Sequence, residues 1–238
     1  MAESTLSITF PILQREVAFY LGWPRVPSTW DNTQSQDWDD ITRRAMRLFY
    51  FPPSGDEKPV YEWTFLRKTG TVTLATADVD YDLPDDFGGT ILDSSLYYAA
   101  GVQQRPPKKV EQHEIEQLQS MDAQNGWPKY FAVRNKTHAP TTGQRWEMIV
   151  YPTPQVNQDS SVISFRYVGV PNEISNTNLY PVGGAQYSEV ILSAHLAAAE
   201  FKNDDDPNGP MMQKFNDMMT SAIRNDQNQK SNDRGGVA

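Results

Sequence analysis

The sequence predicts an α+β protein: a helical bundle built from the N- and C-terminal helices, with an inserted, mostly antiparallel β domain. Two patterns carry this prediction. Apolar residues recur at helical spacing near both ends of the chain, and the middle is rich in β-branched and aromatic residues in near-alternation. A third sign is the run Tyr81-Asp82-Leu83-Pro84-Asp85-Asp86-Phe87, where a strand must stop and a new segment must begin, because proline cannot donate to a ladder.

In chain order, Pro11 opens a first helix over 10–21, with Leu13, Val17, Tyr20 and Leu21 on one face and Gly22 and Pro24 beyond its end. A long polar loop follows, from Trp23 through Gln36. A second helix over 37–49 places Trp38, Ile41, Ala45 and Leu48 or Phe49 on one face, with Pro52-Pro53 as the stop. Strands are predicted at 61–66, 69–77, 91–98, 130–134, 145–151 and 162–170. Between them, 111–121 reads as a short amphipathic helix with the stripe Ile115, Leu118 and Met121. The clearest helix runs over 185–202, where Val190, Ile191, Ala194, Ala197, Ala198 and Phe201 recur and small residues permit close approach. Pro210 opens a last helix with Met211, Phe215, Met218, Met219, Ala222 and Ile223 on its apolar side, ending near Arg224.

Because both ends are helical and each helix has one apolar stripe, the economical partition puts 1–55 and 180–225 in the bundle. The β-rich domain is then 56–179, and 226–238 is a flexible polar tail. The 238 residues suffice for a sizeable core, and 10 Phe, 11 Tyr and 6 Trp supply large surfaces to bury. There is no cysteine, so disulfides, thiolate nucleophiles and sulfur-held metals are excluded, and synthesis inside a cell is expected. No apolar run approaches the roughly 18 to 20 residues that span a bilayer, and no signal-peptide pattern opens the chain. A net charge of −9 argues against a body that grips DNA, since phosphate binding depends on Lys and Arg.

No catalytic, cofactor or metal site emerges. Asp204-Asp205-Asp206-Pro207-Asn208-Gly209 imitates the start of a calcium loop, but its twelfth position is Phe215 rather than a bidentate glutamate, so an acidic turn explains it. His113, His138 and His195 have no zinc spacing, and His195 reads as a core or interface histidine. No G-x-S-x-G elbow occurs, Asp85 and Asp86 fit turn chemistry, and Gly88-Gly89 and Gly183-Gly184 lack phosphate-loop contexts. The methionines of the last helix suit core packing, or an adaptable partner surface.

The ordered landmarks Tyr61-Glu62-Trp63-Thr64-Phe65-Leu66-Arg67-Lys68, the Tyr81 to Phe87 run, Gly126-Trp127-Pro128-Lys129-Tyr130-Phe131 and Tyr151-Pro152-Thr153-Pro154 resemble those of phage head-to-tail adaptor (connector) proteins of short-tailed phages. Within them Trp63, Tyr81, Leu83, Pro84, Phe87, Trp127, Pro128, Tyr151 and Pro152 read as fold determinants, with rings beside rigid turns. The resemblance implies a non-enzymatic virion protein made in the host cytoplasm and no cofactor. It implies a ring of twelve copies below the portal that extends the DNA channel and carries tail nozzle or fibre proteins. Genomic DNA would pass through without specific binding. It also implies that the C-terminal segment, with Gln227, Lys230, Arg234, Val237 and Ala238, reaches into the portal. The alternative is a carbohydrate- or protein-binding β module of a tail-associated protein, with Trp127 and Trp146 as stacking residues.

Overall fold

The computed structural model describes residues 3–52, 60–92, 95–99, 101–136, 138, 140–141 and 143–235. The chain forms two units: 1–66 together with 171–238, and 67–170. The predicted boundary at 55/56 lies outside the described residues.

In the first unit, helix α1 (Phe10–Tyr20) buries Phe10, Leu13, Val17 and Ala18. Helix α2 (Asn32–Tyr50) starts five residues before its predicted start at Asp37. Asp31 caps it: its Oδ1 accepts from the Gln34 amide at 2.8 Å, while Gln34 Oε1 accepts from the Asp31 amide at 3.1 Å. That reciprocal capping box satisfies helix-end donors inside the segment read as loop. Helices α4 (Ser188–Asp204) and α5 (Pro210–Gly235) complete the unit, and α4 packs against α1, α2 and α5. The small face of α4 is fully buried at Ala194, Ala198 and Ala199, which lets its neighbours approach closely.

Two predictions fail in this unit. The segment 61–66 is not a strand: it enters a 3₁₀ turn at Thr64–Leu66 and belongs with the helices. Its backbone finds side-chain partners instead of a ladder, as the Thr64 amide donates to the buried Asp226 carboxylate. Nor does the last helix stop near Arg224, for α5 continues to Gly235.

The second unit layers two sheets and a helix. One sheet runs β1 (Arg67–Thr73), β8 (Val162–Gly169), β3 (Phe87–Ile91), with β4 (Tyr97–Tyr98) also on β8. The other runs β2 (Asp80–Asp82), β7 (Trp146–Tyr151), β6 (Tyr130–Asn135), β5 (Lys108–Lys109). Among the described residues, these strands pair antiparallel except β5 with β6. The predicted strand 91–98 is therefore two short pieces, and the ladder starts earlier, at Phe87.

Alternation assigns the faces. Phe131, Met148 and Val150 join Val72, Ile163 and Phe165 in the core between the sheets. Ala132, Ile149 and Tyr151 turn the other way, to Ile115 of α3 (Gln112–Met121). The predicted α3 stripe is shorter than expected: Ile115 is fully buried and Leu118 half-buried, but Met121 is 83% exposed. Gly70 is required by close approach, because a Cβ there would come within 2.8 Å of the Phe165 ring on the paired strand.

Candidate functional site

The sequence landmarks resolve into two structural nodes, one in each unit. In the helical unit, Trp63 is fully buried among Phe49, Phe65, Tyr61 and Tyr187, at ring-centroid distances of 5.1 to 5.3 Å. Its indole Nε1 donates to the Phe49 carbonyl at 3.0 Å, tying the segment after α2 to the end of that helix. Beside this cluster, the carboxylate of Asp226 has no exposed surface. It accepts from the Tyr61 hydroxyl at 2.6 Å, from the Thr64 amide at 3.3 Å and from the Thr64 hydroxyl. Lys230 Nζ, one turn on, lies 3.3 Å away and also donates to the Glu62 carbonyl. It stands 4.1 Å from the centroid of the Tyr61 ring. Burial pushes the Asp226 carboxyl up, but the hydrogen bonds from Thr64 and Tyr61 and the charge of Lys230 outweigh it and hold the group below its ordinary range. The Tyr187 hydroxyl is pushed up to about 12, first by burial and then by Asp226.

In the β unit, Tyr81 and Phe87 flank the Leu-Pro corner. The Tyr81 hydroxyl accepts from the Ala75 amide at 3.2 Å and donates to the Asp78 carbonyl at 3.0 Å. The Phe87 amide donates to the Pro84 carbonyl at 2.9 Å, closing the turn. Asp85 and Asp86 point apart. Asp85 pairs with Arg145 at 2.6 Å on the surface. Asp86 accepts from Lys68 Nζ at 2.6 Å and from the Tyr167 hydroxyl at 2.7 Å, and these bonds overcome the upward push of burial on its carboxyl. Two carboxylates with separate cationic partners make a structural corner rather than an acid–base pair.

The other aromatic residues singled out in the sequence make specific contacts. Trp127 is half-buried, edge-on to Tyr98 at 5.2 Å, and Trp146 is half-buried against Phe87 at 5.9 Å. The Tyr98 hydroxyl donates to the Pro128 carbonyl at 3.3 Å, and the Tyr151 hydroxyl to the Asp122 carbonyl at 2.9 Å. Tyr151–Pro152 is a cis peptide.

Among the described residues, no group of three or more His, Asp and Glu is placed to hold a metal. His195 is fully buried on α4, stacked on Trp38 at 6.0 Å, and its imidazole is pushed down to about 4 by burial. In the acidic turn, Asp205 takes a left-handed backbone at φ 52° and the Asn208 amide donates to Asp206. A different carboxylate does the work there: Glu200 is buried and accepts from the Met211 and Met212 amides at 2.9 and 3.1 Å, capping α5 from the preceding helix.

Of the C-terminal residues singled out in the sequence, Gln227 and Lys230 sit on α5, and Arg234 lies in its last turn with its side chain outside the described residues. Val237 and Ala238 also lie outside them. Sequence reasoning missed Asp226 and Glu200, whose partners lie far away or on another helix. A capping pattern would have found Asp31. On the helical surface, Leu6, Phe19 and Val26 are 82%, 62% and 57% exposed. A cleft of about 350 Å³ is lined by Tyr187, Val190, Met218 and Ala222. No helix of the described residues is long and apolar enough to cross a membrane.

The sequence model of one family, described as SU10 adaptor protein, matches residues 8–237. No curated protein matches the chain.

Proposed function

The chain belongs to the SU10 adaptor protein family, and from that premise we propose that it is a structural head-to-tail adaptor of a phage virion. In this reading it forms a ring below the portal, extends the DNA channel and offers the platform on which nozzle or fibre proteins attach. The observation that carries it is the extent of the family match, 8–237, which takes in both the helical unit and the inserted β unit.

The chemistry of the surface is compatible with this role. A closed ring needs a heterologous interface, and one that survives in a particle buries on the order of 2,000 Å² or more. Exposed Leu6, Phe19 and Val26 and the cleft beside Met218 give the helical unit apolar surface to bury against a neighbouring copy. Twelve copies is the expected number. The C-terminal segment, from Gln227 to Ala238, is proposed to contact the portal. Lys230 would then exchange its hold on Asp226 and Tyr61 for partner groups. Acidic channel walls would let DNA pass without being gripped.

The test is native mass measurement and imaging of the purified chain, alone and with its cognate portal. A ring that forms or grows on portal addition is expected. Failure to associate with the portal ring under any assembly condition would overturn the proposal.

A further inference from the structure

In the β unit, the end of β3 and the segment before β4 face β5 across a cavity of about 510 Å³. Its floor is apolar, made by Ile91, Leu96 and Phe131, all buried. Its rim is basic: Arg105, Lys108 and Lys109 are exposed, and none forms an ion pair among the described residues. Three cations around one hole, without an ion pair among the described residues, stand out on a chain of net charge −9.

The strand beside this cavity has a free edge. β5 ends its sheet, with β6 on one side and no strand on the other among the described residues. The Lys108 and Val110 amides donate to the Lys129 and Phe131 carbonyls at 2.9 and 3.0 Å. By the two-residue alternation of a strand, the N–H and C=O of Lys109 face outward. Pro107, the preceding outward position, has no N–H, so an added strand registers on Lys109.

We propose that this edge docks an extended, acidic peptide segment of a partner protein. Its main chain pairs with Lys109, a large apolar side chain enters the cavity over Phe131, and flanking carboxylates meet Arg105, Lys108 and Lys109. A nucleic-acid backbone would satisfy the cations but would leave both the apolar floor and the outward N–H and C=O unused, so a peptide fits better.

The test titrates the full chain into a labelled synthetic peptide that alternates Asp with Val around a central Leu, followed by fluorescence anisotropy. Saturable binding is expected, weakened about tenfold by the combined change Arg105→Glu, Lys108→Glu and Lys109→Glu. Because all three side chains are exposed, the variant should keep the parent melting temperature. Replacing the central Leu of the peptide by Ser, or N-methylating the amides that face β5, should weaken binding comparably. Absence of saturable binding, or binding indifferent to the charge reversal, would overturn the proposal. So would indifference to N-methylation, or displacement of the peptide by duplex DNA at lower concentration.

Discussion

Asp226 concentrates several constraints in one side chain. A buried carboxylate survives only when its lone pairs are answered, and here two hydroxyls, a backbone amide and an ammonium answer them. Its carboxyl titrates below the ordinary value of 3.8, so its contribution to stability is fully present above that value and is lost as pH falls through the lower folded value. Asp226→Asn is expected to cost about 2 kcal/mol at neutral pH, where it keeps the shape but loses the charge. It should also flatten the decline in stability below the ordinary carboxylate range. Urea unfolding of both proteins across acidic and neutral pH checks this, and equal slopes would refute it. The residue was not legible in the sequence. It stands in a polar stretch that resembles a tail, and the Tyr61 that binds it is 165 positions away. Asp31 was legible, because its cap partner Gln34 lies three residues on.

Among the elements, those with a strong local period were the ones the sequence located well. The α4 helix reads from its small-residue face and β8 from its alternation, and both appear close to their predicted spans. Where a neighbour decided the outcome, the prediction erred. The aromatic run at 61–66 has strand composition, but Trp63 and Phe65 pack on Phe49 and Tyr187, and a turn replaces the strand. The start of α5 depends likewise on a distant group. A Cβ on Gly209 would lie 2.3 Å from Glu200 Cδ, so Gly209→Ala must displace the carboxylate that caps the helix. A loss of about 1–2 kcal/mol is expected. In a Glu200→Ala background the same substitution should cost little, because the collision and the cap are both gone. Thermal melts of the four proteins of that cycle check it, and additive losses would argue against the cap. On α3, Ile115→Ala should cost about 2–5 kcal/mol, whereas Met121→Gln should change stability by less than about 0.5 kcal/mol, since Met121 touches solvent.

Taken as a whole, the chain was legible in class and in its insertion pattern, because those follow from local periodicities that change once and then change back. The strand predicted at 61–66 was misread, since that aromatic segment looks extended but belongs to the helices. The family was legible only through the order of landmarks, and the family match covers nearly the full length. At this scale, the net charge of −9 carries its own expectation. Nonspecific binding of duplex DNA at physiological salt should be weaker than about 100 μM. A gel-shift titration measures it, and micromolar retardation would contradict a conduit that DNA merely traverses.

The β unit leaves and rejoins the rest of the chain through β1 and β8, which lie side by side with Arg67 opposite Val168. Its entry and exit are thus neighbours, as in a drawer fixed by a single handle. Such a cassette can drift, lengthen its loops or be exchanged for another with adjoining ends while the helices keep their own packing.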